Sequence, residues 1–296
     1  MKVLDIHTHL QLNLPGVPHN PHRAKMPPLL IRLYEIMGYK FLFWKEGNYP
    51  EPMRLLISLD NQLRLSMASR DNLIRYMDST GVDISVVMPI SPFVTSREYL
   101  QTIEGEKRLL TFASAHPSDS QWREKLHRDM EDGCRGVKIH PILQQLHPQD
   151  EFYFNLLEEF QRYSKPVLTH TGEFEYFIPR NPCSIYGKVN YFEKLVAAFP
   201  QVPIILGHMG TFDPWSAIEL ARRYENVYLE TSFQPVSTIR KAINEVGSHR
   251  VLFGSDWPES GQKAPLQIAQ KAAGKDKTLA ERLLWKNAID LIGPIY

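Results

Sequence analysis

Two cysteines in 296 residues exclude a disulfide framework, so Cys134 and Cys183 read as free thiols, and a reducing, cytoplasmic location is expected. An excess of charge of one sign is also missing. Thirty-four basic against 33 acidic side chains leave a net charge of +1, which removes the basic field that nucleic-acid binding requires. No apolar run approaches the ~18 residues of a membrane span, and the first residues lack the apolar core of a secretory signal. No Gly-x-Gly-x-x-Gly follows an apolar run, so the usual nucleotide fingerprint is absent. Repeats and low-complexity tracts are missing as well. The absences leave a globular chain that fits one large domain, 1–296, acting on a small molecule, with neither nucleic acid nor membrane as partner.

What is present starts at the first residues. Val3, Leu4 and Ile6 give the apolar signal of a buried strand that runs into His7-Thr8-His9. Strand alternation places Val3, Asp5, His7 and His9 on one face and Leu4 and Ile6 on the other. Two imidazoles side by side at a strand end can ligate one divalent ion. A stretch from 10 to 67 follows, punctuated by Pro15, Pro18, Pro21, Pro27, Pro28, Pro50 and Pro52, which rule out long regular elements across them. It leaves the first strand on the side of the histidines, so it is expected to cover the barrel mouth, with Phe41, Phe43 and Trp44 as an apolar wall. A contact in a homodimer is its rival role.

From Ser69 the chain becomes regular. Strands are expected at 84–90, 109–115, 135–140, 166–171, 202–208, 227–231 and 251–255, each followed by a helical pattern. One helix is expected over 120–131, capped by Asp119. With the first strand this makes eight strand–helix units in alternation, the pattern of an α/β chain folded as a (β/α)8 TIM barrel. An open doubly wound sheet is the rival.

The polar residues of this pattern are not scattered. Lys138 and His140 share one face of the fourth strand, with Val137 and Ile139 on the other. The fifth strand ends at His170, the sixth at His208 and the eighth at Asp256. Any one of these is ordinarily a satisfied core residue. His7, His9, His170, His208 and Asp256 together at strand C-termini, the face where barrels carry their chemistry, point to a shared metal site.

The set resembles the amidohydrolase superfamily, whose pattern is His-x-His after the first strand, Lys or Glu on the fourth, His on the fifth and sixth, and Asp on the eighth. The strings Gly-Val-Lys-Ile-His-Pro (136–141), Leu-Gly-His-Met-Gly (206–210) and Phe-Gly-Ser-Asp-Trp-Pro (253–258) are similar to its "amidohydrolase 2" branch, which holds aminocarboxymuconate semialdehyde decarboxylase-like enzymes and many metal-dependent hydrolases. The resemblance implies one divalent ion on His7, His9, His170 and Asp256, with zinc favoured over manganese or iron. A second ion would need a carbamylated Lys138 and is the less favoured form. It further implies Asp256 and His208 as catalytic residues. Substrate contacts are expected from Lys138, His140, Arg180 and Trp257, with Lys138 as the cation for an acid group. The activity implied is hydrolysis of a C–N, ester or lactone bond of a small carboxylate-bearing substrate. Non-oxidative decarboxylation of an aromatic or unsaturated acid is the alternative, and a catalytically silent binding barrel a third.

Overall fold

The computed structural model describes residues 1–11, 64–65, 68–173 and 182–295. Phe41, Phe43, Trp44 and Arg180 therefore lie outside the described residues, as does most of the stretch from 10 to 67. Of its described residues, Leu10 and Leu65 are buried.

Eight short strands form: β1 (Leu4–Thr8), β2 (Ile84–Val87), β3 (Leu109–Thr111), β4 (Val137–Ile139), β5 (Val167–His170), β6 (Ile204–Gly207), β7 (Val227–Glu230) and β8 (Val251–Leu252). All pairings are parallel and sequential, in a group of three strands, β1–β2–β3, and a group of five, β4 to β8. Backbone hydrogen bonds bridge both seams. Ala113 N–H donates to Gly136 and Lys138 N–H to Ala113, both at 2.8 Å, joining β3 to β4. Ile6 N–H donates to Phe253 (3.1 Å), Asp256 N–H to His7 (2.8 Å) and His9 N–H to Trp257 (2.6 Å), joining β8 to β1. The strands thus follow one another around a (β/α)8 TIM barrel.

The core has two layers. The larger cluster lies between strands and helices and takes Val137 and Ile139 from β4, Val167 from β5 and Leu229 from β7. The smaller cluster fills the barrel interior. It draws Leu4 and Ile6, Val86, Leu168, Ile205 and Leu252 from β1, β2, β5, β6 and β8, with Phe112 just past β3 and Tyr228 of β7 packed on it. Helix Asn287–Ile292 contributes Ala288, Leu291 and Ile292 to the same cluster. β4 supplies Lys138, fully buried, where its neighbours supply aliphatic side chains.

Simple alternation fails at one place, and the failure makes the site. Leu4 and Ile6 face the interior, and Asp5 faces outward to the backbone N–H and hydroxyl of Ser255 and to Ser85-linked Gln262. Unbroken alternation would send His7 outward with Asp5. The β1–β2 register instead shifts between Asp5 and Thr8, as at a β-bulge, and His7 turns inward to Lys138 and Glu230. The expected common face of Asp5 and His7 is therefore corrected.

The helices follow the sequence pattern closely. Arg70–Thr80 starts at Ser69, whose hydroxyl accepts from Asn72 N–H, and stops at Gly81 in the left-handed region (φ 79°). The helix expected at 120–131 begins at Trp122 without a side-chain cap. Asp119 instead accepts from Gln121 N–H at 3.0 Å, a turn that uses the same carboxylate too early to cap the helix.

Ile205 is fully buried in the interior cluster. Ile205→Ala should lower the unfolding free energy by about 2–5 kcal/mol. Chemical denaturation measures this. A loss under about 1 kcal/mol would show that the barrel interior is loosely filled.

Candidate metal centre

His7 and His9 reach the rim because β1 ends there. His7 Nδ1 lies 3.0 Å from Glu230 Oε2 and His9 Nδ1 lies 2.8 Å from the Met88 carbonyl. Both Nδ1 atoms therefore carry the proton and donate it, which leaves a lone pair on each Nε2. The two Nε2 atoms sit 3.2 Å apart. Asp256 Oδ1 is 3.4 Å from His7 Nε2 and 3.3 Å from His9 Nε2. Three electron-pair donors thus form a nearly equilateral triangle in a buried site. Tetrahedral ligands at zinc–nitrogen bond length stand about 3.3 Å apart, so the triangle has the dimensions of three sides of a metal shell.

Among the described residues a second group has the right composition, His7, His208 and Glu230. Its atoms are satisfied by protons instead. Glu230 Oε2 accepts from His7 Nδ1–H at 3.0 Å, from His208 N–H at 3.0 Å and from the Ser232 hydroxyl at 2.8 Å, and Ser232 N–H donates to Oε1. This carboxylate is an acceptor hub, and the metal-binding geometry belongs to the first group.

His208 stands beside the triangle. Its Nδ1 is 2.6 Å from Ser232 Oγ, whose own proton goes to Glu230, so His208 Nδ1–H is the donor and Nε2 keeps the lone pair. That Nε2 is 3.9 Å from Asp256 Oδ2. Asp256 therefore presents one oxygen to the triangle and the other to His208. Both residues hold positive φ, 62° at His208 and 59° at Asp256, a conformation that side chains other than Gly adopt rarely. The surroundings enforce it. Gln234 donates to His208 O at 2.7 Å, and Asp256 N–H to His7 O at 2.8 Å.

The charges follow from burial. Desolvation lowers the His208 imidazole to about 4, so it is neutral. Burial alone would raise the Asp256 carboxyl, but His208, His9 and Lys138 outweigh it and hold it at about 2. Burial raises the Glu230 carboxyl while the donors that converge on it lower it, and with four donors around it no neighbour can accept a carboxyl proton, so the geometry is that of a carboxylate. Lys138 is lowered to about 8 by burial, although Asp256 and Glu230 favour its charge.

The remaining expected residues fall as follows. Lys138 Nζ lies 2.9 Å from His7 Nε2, at the triangle itself. His170 is in neither ligand group. Its Nε2 is 3.1 Å from Gly172 O, and its ring stacks on His140 with centroids 4.3 Å apart and planes 9° apart, and meets His208 at 4.9 Å. His140 caps the short helix Pro141–Gln144, its Nδ1 accepting from Leu143 N–H at 3.3 Å. Trp257 is buried with its ring 5.6 Å from Tyr76. Glu230 was not among the expected residues. It ends β7 as His170 ends β5, so the strand-end rule that selects His170 and Asp256 selects it too.

A profile of the family described as Amidohydrolase matches residues 4–293. No curated protein matches the sequence. Among solved structures the chain is similar to 2,6-dihydroxybenzoate decarboxylase from Rhizobium, with a TM-score of 0.64 and 17% identity over 99% of this chain and 98% of that one. It is similar to 5-carboxyvanillate decarboxylase from Novosphingobium aromaticivorans, complexed with manganese and 4-hydroxy-3-methoxy-5-nitrobenzoic acid, with a TM-score of 0.66 and 16% identity over 98% and 96%. It is also similar to a probable 2-pyrone-4,6-dicarboxylic acid hydrolase from Acinetobacter baumannii with citric acid bound, with a TM-score of 0.60 and 14% identity over 99% of both chains. At these identities the likeness is one of fold.

Metal analysis of the purified protein should find a tightly held divalent transition metal. The double variant His7→Ala/His9→Ala removes two of the three donors and should lose it. Full occupancy in that variant would rule out the triangle as the binding point.

Proposed function

The chain belongs to the amidohydrolase family, and from that premise we propose that it is a hydrolase that uses water activated at a divalent metal on a C–N, ester or lactone bond of a small, carboxylate-bearing substrate. The ligands proposed are His7, His9 and Asp256, whose donor set fits a cation, with His170 as the fourth. The Nε2 proton of His170 is spent on Gly172 O, which leaves Nδ1 as its basic nitrogen. When bound, a divalent ion, with zinc favoured and manganese or iron as alternatives, supplies Lewis acidity and lowers the pKa of a water towards ~7.

The observation that carries this reading is the two-sided carboxylate of Asp256, with Oδ1 in the triangle and Oδ2 3.9 Å from the basic nitrogen of His208. Hydrolysis needs a group that takes a proton from water and a route that returns it to the leaving group. Asp256 is ionised and able to accept. His208 is neutral, with its lone pair towards Oδ2 and its Nδ1–H held by Ser232, so it can take the proton from Asp256 and deliver it as an imidazolium. Lys138, a buried amine at the rim, is the candidate cation for the substrate's acid group or for charge that develops on the scissile oxygen.

A second reading, non-oxidative decarboxylation of an aromatic or unsaturated acid on the same centre, draws support from the decarboxylases that share the fold. It uses the same residues, with His208 as the proton donor to carbon.

A substrate panel of lactones, esters and amides beside aromatic and unsaturated acids separates the two. Acid release from the first set, without carbon dioxide from the second, is the expected result, and carbon dioxide release would overturn the hydrolase reading. On any substrate turned over, Asp256→Asn should lower kcat by roughly 10²-fold or more with the fold intact, because the amide cannot accept the proton. A near-native rate would show that the proton leaves by another group.

A further inference from the structure

Glu230 is fully buried, and its four donors come from three places: the His7 ring of β1, the backbone after β6, and Ser232 just past β7. Each contact has a chemical consequence. The direct bond fixes the proton of His7 on Nδ1. The indirect one, Glu230 to the Ser232 hydroxyl and on to His208 Nδ1, fixes the proton of His208 on Nδ1 as well. One carboxylate therefore sets two tautomers, and in both rings it is Nε2 that faces the triangle as a lone pair. A ring with the opposite tautomer would present an N–H where a ligand or a base is needed.

The barrel keeps room for this carboxylate. Gly254, two residues past the end of β8, has no side chain, and a Cβ built there would lie 2.4 Å from Glu230 Oε1 and 2.7 Å from its Cδ. Any other residue at 254 would push the carboxylate off its donors.

We propose that Glu230 is a positioning residue that fixes the Nδ1–H tautomers of His7 and His208, and that Gly254 is the space reserved for it. The claim rests on the metal-dependent reading above for its effect on affinity, but the tautomers are a property of the protein alone. A glutamine is the sharpest probe. All four groups around Glu230 are donors, so one end of an amide must set N–H against N–H. If the NH2 faces His7, that ring must move its proton to Nε2 and lose its ligand lone pair.

The test uses two readouts on the full chain. Ring 15N shifts of the metal-free protein report the His7 and His208 tautomers, and chelator competition with Zn2+ or Mn2+ reports metal affinity. Wild type should show Nδ1–H on both rings. Glu230→Gln should disturb that pattern and weaken metal binding about 10–100-fold. Gly254→Ala, which retains the carboxylate but displaces it, should change both readouts in the same direction and carries the test if Glu230→Gln does not fold. Wild-type tautomers and wild-type affinity in a folded Glu230→Gln or Gly254→Ala protein would overturn the proposal. Should wild type bind neither metal, the metal-centre reading fails, and the tautomers alone decide the role of Glu230.

Discussion

Everything at the rim depends on one electrostatic constraint: three lone-pair donors, His7 Nε2, His9 Nε2 and Asp256 Oδ1, are held within 3.4 Å of one another away from water. Such a triangle is repulsive by itself, because each Nδ1 has already spent its proton on Glu230 or Met88 O. It becomes favourable only with positive charge at its centre or edge. The Lys138 amine at 2.9 Å from His7 is the one cationic side chain seen to meet it among the described residues, and a divalent ion answers the same need with more charge.

The framework holds this arrangement by spending regularity elsewhere. β1 shifts register so that Ile6 and His7 both turn inward, and Asp5 stays outside to clamp Ser255, the neighbour of Asp256. His208 and Asp256 sit at positive φ, held by hydrogen bonds from Gln234 and to His7. These three departures lie at or next to side chains of the site, where strain is expected if it serves orientation. Below the rim the interior is an apolar, buried cluster, which keeps the dielectric low and the polar contacts strong.

The same burial explains the division of labour between two neutral-pH partners. Desolvation keeps His208 neutral, while Asp256, held at about 2, stays ionised, so a base and an acceptor face each other 3.9 Å apart without a proton already shared.

The sequence by itself determined the eight-unit barrel, because hydrophobic periodicity and helix start and stop residues such as Ser69 and Gly81 are local signals. It determined that His7, His9, His170, His208 and Asp256 stand at strand ends, since in a parallel barrel every strand C-terminus lies on one face. Tertiary structure alone decided the rest. Alternation sends Asp5 and His7 the same way, and only pairing with β2 separates them. Glu230 reads as an ordinary acid on a strand end until His7, His208 and Ser232 close on it from three elements. Gly254 falls within the strand expected at 251–255, and only the carboxylate beside it shows why a side chain has no room there. Which ring nitrogen carries a proton is likewise set by a partner hundreds of residues away, as between His7 and Glu230 at a separation of 223, and no local pattern contains it.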